Sequence, residues 1–432
     1  MKVNSKLEIS SKNLLESVLA FLLVIECNTV YERMANIDLH FEWMCVVVAF
    51  ILLTSMGRIR KKSVENAIFI VAVVLIYLVI TYYKCNAIIY FPLMCLFFPM
   101  LVAYFMNRNG ADGVLSIYSK FSTIVEVLAL VSTIVWFFTE IVGVISPNMS
   151  ITIAWGNEHP VGGVFGLYFE CQLENTFGLY IYRNSGIFCE APMFSLVLSF
   201  ALLYELFLRG DFKKNRVLVL TIAILTTLTS TGLMMLILCF GLAYWQRIRE
   251  SRKSVKILYL IGMLVLIPIA YYFIASILEA KSARGSYSIR MVDYIVGIQA
   301  FFRNPLTGSG FGSIAQLTEN KASLLASFGL RSIEVGYSNS LTAVIGQGGL
   351  YLSVLYFAPF IVLLTKKTIN NKNYTAWVIA FIVLFSVTIF YAKMIMMYFL
   401  AMAYVLCFMI RSESTVHIGL TQRNMNNRYF NR

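Results

Sequence analysis

The chain has 432 residues, of which 59% are hydrophobic and only 13% are charged, and its mean hydropathy is +0.76. A soluble globular domain carries nearly twice that charged share, so the composition excludes one and predicts a single integral membrane domain, residues 1–432. The net charge of +13 comes from short basic segments between apolar runs, which is typical of cytoplasmic loops and argues against nucleic-acid binding.

The first apolar run, at residues 14–29, follows Lys2, Lys6 and Lys12, which places the N-terminus in the cytoplasm. It contains two glutamates and lacks a small-residue cleavage site, so we interpret it as a retained helix rather than a signal peptide. Further apolar runs follow at residues 43–56, 67–83, 87–106, 121–145 and 187–208. The polar stretch 146–186 is predicted to lie outside the membrane.

The apolar run 217–245 is long enough for one span, but one span would place the basic segment 246–256 outside. Two short antiparallel helices, hinged at residues 229–232, keep that segment in the cytoplasm. Each leg of about 14 residues would reach roughly 21 Å into a core of about 30 Å. Because irregular backbone at that depth must line protein or water, we expect a cavity that opens outward at the hinge.

The remaining spans are predicted at residues 257–278, 341–365, 377–390 and 394–410. A second outer segment covers residues 279–339, and the polar tail 411–432 returns to the cytoplasm. About 12 spans with both termini inside satisfy the positive-inside rule at the basic loops. The sequence therefore predicts an all-α, polytopic transmembrane bundle with a short helical hairpin and two large outer-face segments.

The eight cysteines give no sign of a metal site. Most lie inside apolar runs, where cysteine acts as a small hydrophobic residue, and no C-x-x-C or Cys/His cluster occurs. Cys171 and Cys189 fall on one side of the membrane, so a disulfide between them is an open alternative. We expect neither a metal nor another cofactor.

An amphipathic helix is predicted near residues 288–304 of the second outer segment. Its apolar residues recur at the spacing of one helical face: Met291, Tyr294, Ile295, Ile298, Phe301 and Phe302. Arg290 and Asp293 fall on the other face. Ser286 or Ser288 is positioned to cap the start, and the Asn304-Pro305 pair ends the pattern.

The sequence PLTGSGFGS at residues 305–313 has three glycines at alternate positions. No strand precedes them and no lysine follows, which argues against a nucleotide-binding loop. The pattern predicts a turn with positive φ angles. Bare backbone at Gly308 and Gly310 would also let a ligand or another helix approach closely.

The second outer segment holds six basic and four acidic residues. Its net positive charge is opposite to the usual bias, which places basic residues in cytoplasmic loops. Either a solvated surface that touches lipid headgroups or an anionic ligand accounts for this charge, and arginine is the preferred partner of phosphate. Glu190 falls where the chain enters the membrane, and Arg183 is the candidate partner of its carboxylate. A structural role remains the alternative for this glutamate.

Several short motifs follow one another between residues 183 and 350. They are R-x-x-G-x-F-x-E at 183–190, the hairpin at 229–232, R-x-x-D at 290–293, the glycine-rich turn, Ser338-Asn339-Ser340 and Gly348-Gly349. In this order, with this topology, they resemble the bacterial polysaccharide polymerase and O-antigen ligase superfamily (Wzy-type and related). The resemblance implies a GT-C-like membrane fold.

In that family, outer-facing arginines engage the diphosphate of a polyprenyl-diphosphate-linked glycan, and this role carries onto Arg183 and Arg290. Glu190 or Asp293 is our candidate for the general base. Candidate substrate-binding residues are Arg284, Arg303, Gly308, Gly310, Ser338 and Asn339. The expected enzyme is a metal-independent glycosyltransferase that polymerises repeat units into O-antigen, capsule or exopolysaccharide.

Two departures from the family pattern bear on the activity. The family hairpin often carries a Ser-Arg pair, whereas Thr229-Ser230 stands here. Ligases usually carry a histidine at the position of Ser338, so a polymerase is favoured over an O-antigen ligase. A flippase for lipid-linked oligosaccharides is the alternative of another class, although no internal repeat supports it.

The expected location is the bacterial inner membrane, with the active face turned outward. The expected partners are a lipid-linked donor and acceptor glycan and the bilayer, together with a chain-length regulator and a flippase. No nucleic-acid partner is expected.

Overall fold

The structure is a computed structural model that describes residues 2–35, 37, 39–83, 90–176, 179–250, 286–313, 317, 321–322, 324–325, 337–365 and 373–409. The predicted span 257–278, Arg284 and the tail 411–432 lie outside the described residues. The described part is mostly helical with little sheet, which confirms the predicted class of a helical membrane protein.

Helices account for most of the described residues. In chain order they are α1 (Lys2–Ile25), α2 (Phe41–Thr54), α3 (Lys61–Ile80), α4 (Pro92–Met106), α5 (Gly110–Val114), α6 (Ser116–Trp136), α7 (Ala191–Leu203), α8 (Lys214–Thr226), α9 (Ser230–Glu250), α10 (Ser286–Arg303), α11 (Ser340–Thr365), α12 (Tyr374–Val387) and α13 (Met394–Met409). Five helical stretches are long and apolar enough to cross a membrane, namely Lys61–Ile80 (α3), Ser116–Ile141 (α6 and the helical turn after it), Ala191–Leu208 (α7 and the helical turn after it), Ser230–Ile248 (within α9) and Ser340–Thr365 (α11). Shorter apolar helices are α2, α4, α12 and α13. The count of about 12 spans stays a prediction.

The helix α7 lies at the centre of the bundle, because nearly all of its side chains are buried. It packs against α6, α8, α9 and α12. Phe200 of α7 lies 4.6 Å from Phe399 of α13, and Phe381 of α12 stacks on Phe360 of α11 at 4.8 Å between ring centroids. The first contact joins α7 to α13, and the second joins α11 to α12.

The predicted all-α fold is incomplete, because the segment 146–186, which is predicted to lie outside the membrane, contains small antiparallel sheets. Its strands are β1 (Met149–Trp155), β2 (Asn157–Val164), β3 (Tyr168–Phe169), β4 (Leu173–Thr176) and β5 (Leu179–Tyr182). The alternating sequence of β1 suits a strand with one covered face, and Gly156 (φ 75°) makes the turn to β2. Cys171 and Cys189 both lie beside this sheet as free thiols, without a disulfide.

The predicted break near residues 229–232 is confirmed, since α8 ends at Thr226 and α9 begins at Ser230. The outward-opening cavity expected there stays a prediction; of the hinge residues, Thr229 and Thr231 are buried. The backbone N–H of Asn184 donates to the Thr226 carbonyl (3.2 Å), and its side-chain amide donates to Thr226 Oγ1 (2.9 Å). The irregular backbone is therefore satisfied by protein groups. In addition, α9 continues to Glu250, well into the predicted basic loop.

The amphipathic helix is confirmed as α10, and its predicted apolar face is open. Met291, Ile298 and Phe302 are 45%, 46% and 75% exposed. The opposite face packs against α11, where a Cβ on Gly297 would lie 2.6 Å from Thr342 Cβ. Only glycine permits this close approach of the two helices.

The glycine-rich turn that follows α10 packs into a break in α11, where Gly349 has non-helical angles (φ 55°, ψ −154°). The Gly310 N–H donates to the Gln347 carbonyl (2.9 Å), and the Leu350 N–H donates to the Pro305 carbonyl (2.8 Å). Gly308 and Gly310 both have positive φ, as predicted. A ligand or another helix was expected to approach this backbone closely. The structure places helix α11 there.

We expect Gly308→Ala to lower the free energy of unfolding by about 2–5 kcal/mol. Gly308 has φ +66°, and an added Cβ would lie 2.3 Å from the backbone of Gln347. The control is Gly241→Ala within α9, where nothing lies within 4 Å and alanine is the better helix former, so stability should rise slightly. Thermal unfolding of the purified variants in detergent measures both, and an unchanged Tm for Gly308→Ala would contradict the packing described.

Candidate functional site

The segment between Arg183 and Glu190 joins strand β5 to the central helix α7. Asn184 and Ser185 are fully buried, and the Ser185 hydroxyl donates to the Phe169 carbonyl at 2.6 Å. Gly186 (φ 54°) allows the chain to turn back beneath the sheet. The buried middle of the segment thus anchors its two charged ends at the surface of the bundle.

Arg183 follows β5 directly and forms an ion pair with Glu174 of β4. Its backbone N–H donates to the Gln172 carbonyl (3.0 Å), and the Gln172 side chain accepts from the N–H of Ala191, the first residue of α7 (3.2 Å). The side chains of Arg183 and Glu174 are 12% and 22% exposed. The strand pair therefore holds this guanidinium at the start of α7, with a small part of its side chain exposed.

Glu190 lies at the N-cap of α7 and is half-buried. Burial raises the pKa of its carboxyl, while an indole N–H from Trp155 and the positive charges of Arg183 and Arg290 oppose that rise. The two arginines therefore act on one carboxylate from separate segments of the chain. Three of the four predicted catalytic residues therefore interact electrostatically.

Arg290 reaches this site from the first turns of α10 and is half-buried. The next turn fixes the helix, because the Tyr294 hydroxyl donates to the Ser386 carbonyl in α12. Arg290 is thus placed on a helix that is bound on one side and open on its apolar side.

Asp293, the fourth predicted catalytic residue, has a different environment. Its side chain is fully buried, pairs with Lys321 (Oδ1 to Nζ, 2.9 Å), and accepts from the backbone N–H and hydroxyl of Ser338 (2.9 and 2.6 Å). A carboxylate held this way has no open side for an acceptor hydroxyl. Glu190 is therefore the better placed of the two candidate bases.

The remaining predicted substrate-binding residues do not join the site. Ser338 binds Asp293, and Asn339 Oδ1 accepts from the backbone N–H of Thr342 (2.9 Å), so Asn339 caps the start of α11. Arg303 is exposed at the far end of α10, about 20 Å along the helix from Arg290. Gly308 and Gly310 lie against the break in α11.

No sequence motif pointed to Trp155, whose indole N–H donates to Glu190, or to Arg33, which lies over the Trp155 ring. The Arg33 guanidinium lies 5.6 Å from the Trp155 ring, and Arg33 also bonds Asn28 Oδ1 (2.9 Å) and Glu32 (3.2 Å). Trp155 is the last residue of a strand with alternating polar and apolar residues, just before a Gly-Asn turn. That pattern was the one sequence signal that could have placed it at an edge of the sheet.

A half-buried lysine supports this part of the site. Lys393, just before α13, donates to the carboxylate of Glu32 (2.9 Å) and to the carbonyl of Glu26 (2.9 Å). Glu32 in turn pairs with Arg33. Lys393 thus positions the arginine that covers Trp155.

No family model matches the chain, and no curated protein matches it. Among the described residues, no group of three or more His, Cys, Asp or Glu side chains is arranged to hold a metal ion. The resemblance to the polymerase and ligase superfamily therefore rests on the sequence motifs alone.

We expect Asp293→Asn to destabilise the protein by about 3–5 kcal/mol, because it leaves the buried Lys321 charge without its carboxylate. The double variant Asp293→Asn/Lys321→Met should recover much of that loss, since no buried charge remains. Thermal unfolding compares the two. A stable but inactive Asp293→Asn would instead assign this carboxylate to catalysis.

Proposed function

We propose that the protein is a glycosyltransferase that polymerises polyprenyl-diphosphate-linked oligosaccharides at the outer face of the bacterial inner membrane. The observation that carries the proposal is the grouping of Arg183, Glu190 and Arg290 at one end of the bundle. Two arginines suit a diphosphate, and the half-buried carboxylate on which both of their charges act suits a base. The products would be O-antigen, capsule or exopolysaccharide.

The reaction requires one bond to form and one to break. The terminal hydroxyl of the acceptor glycan attacks the anomeric carbon of the donor, and the carbon–oxygen bond to polyprenyl diphosphate breaks. Glu190 accepts the hydroxyl proton, while Arg183 and Arg290 stabilise the negative charge that develops on the diphosphate. Fixed guanidinium groups supply this stabilisation without reorganisation during the reaction.

The open apolar face of α10 supports a lipid-linked substrate. Met291, Ile295 and Ile298 are 45%, 37% and 46% exposed on the helix that also carries Arg290. A polyprenyl chain lying along this face would place its diphosphate close to the arginine. In this proposal the bilayer supplies the substrate directly to the site.

Gene deletion in the native host tests the class of activity. Loss of a polymerase leaves single repeat units on the surface, loss of a ligase leaves undecorated core, and loss of a flippase leaves repeat units inside. We expect the first phenotype. Both other outcomes would replace the proposed function by the corresponding alternative.

In the deletion host, we expect Arg290→Ala and Arg183→Ala to reduce polymerisation by about 10²–10³-fold, the usual effect of removing one group that stabilises transition-state charge. The matched control is Gln299→Ala, an exposed neutral residue on the same helix as Arg290. Chain-length ladders on gels provide the measurement. Wild-type ladders from Arg290→Ala would show that this guanidinium does not act on the diphosphate.

The pH profile of the reaction tests Glu190 as the base. Burial raises the pKa of this carboxyl, and only the deprotonated form accepts a proton, so the rate should rise with pH through the raised pKa. Arg290→Gln removes a charge that favours the carboxylate, so it should move this rise to higher pH. Glu190→Gln should abolish the rise, whereas Glu158→Gln, on exposed β2, should leave it unchanged. An identical profile in Glu190→Gln would exclude this residue as the base.

A further inference from the structure

A second polar feature lies at the end of the bundle opposite to Glu190. It is a cavity of about 730 Å³ between the starts of α3 and α5 and the ends of α4 and α13. The helix α1 runs between the two ends. Its Glu16 contacts Arg108 beside the cavity. Thr29, which follows the last turn of the helix, pairs with Phe188 near Glu190. We call this feature the basic cavity.

The basic cavity has a cationic side and an apolar side. Arg60, Lys62 and Arg108 line the first, and no acidic residue is among the described residues that line it. Phe105 and Phe408 are among the residues that line the second. An amphiphile with a negative headgroup matches both sides.

The buried carboxylate next to the cavity does not neutralise the positive charge of the cavity. Glu16 is the buried carboxylate nearest to Arg108 (3.2 Å), but Lys120 shares it at 2.5 Å. One negative charge thus faces two cations, and Arg60 and Lys62 add two more at the rim. The cavity keeps a net positive charge that an anion can neutralise.

Arg60 is held in place before any ligand arrives. Its backbone N–H donates to Asn107 Oδ1 (2.9 Å), and its guanidinium donates to the Met106 carbonyl (3.4 Å). A guanidinium fixed at a rim loses little freedom when it binds a phosphate.

We propose that the basic cavity binds an anionic phospholipid, with the phosphodiester at Arg60 and Lys62 and the first part of an acyl chain against Phe105 and Phe408. Basic cavities between transmembrane helices are a known mode of recognition for anionic headgroups. A free phosphate would use the cations and leave the apolar side empty. This site is separate from the proposed active site.

The test is native mass spectrometry of the full-length protein, purified in detergent and mixed with phosphatidylglycerol or phosphatidylcholine. The wild type should retain phosphatidylglycerol preferentially. Arg60→Gln/Lys62→Gln should weaken that retention by about 30-fold, from about 1 kcal/mol for each lost charge. The control is Lys61→Gln, because the Lys61 side chain is 92% exposed, pairs with Glu65 and does not line the cavity.

Each other outcome would overturn the proposal. Equal retention by the double variant and the wild type, or equal loss in Lys61→Gln, would show only general attraction to a basic surface. Displacement of the lipid by millimolar inorganic phosphate would identify a site for free anions. Arg60→Lys/Lys62→Arg should restore retention, and its failure to do so would show that the double variant acts through the fold rather than through charge.

Discussion

A carboxylate inside an apolar bundle is stable only when a cation or several hydrogen-bond donors lie against it. Asp293 meets this constraint through Lys321 and Ser338 and is fully enclosed. Glu190 meets it only in part, because it stays half-buried and its charge is favoured by two arginines from separate segments. This difference separates a carboxylate that holds the fold together from one that is available to a substrate.

The same constraint explains how distant segments of the chain converge on the site. The strand pair β4–β5 holds Arg183, the central helix α7 presents Glu190, and α10 supplies Arg290 while packing against α11. Behind them, Lys393 binds Glu32, and the neighbouring arginine covers the tryptophan that contacts Glu190. The site is therefore rigid on its protein side and open on the apolar face of α10, as a lipid-linked substrate would require.

Local patterns predicted local features well, and long-range contacts could not be predicted from them. Helical periodicity gave the bounds of α10 within two residues at its start and one at its end, and also its exposed apolar face. The glycine-rich sequence of residues 305–313 was sufficient to predict the positive φ angles of Gly308 and Gly310. The strands of 146–186 were missed, because a polar stretch between spans was treated as a loop. The bond between Asp293 and Ser338 comes from tertiary packing, which no local pattern encodes.

The central claim is that this chain alone transfers one lipid-linked glycan to another. The most direct measurement uses the purified protein in liposomes with a polyprenyl-diphosphate-linked repeat unit from the native host, and follows glycan length together with released polyprenyl diphosphate. The account predicts chains longer than one unit, one diphosphate released for each unit added, and neither product with Arg290→Ala. Repeat units that cross the bilayer without elongation would contradict it.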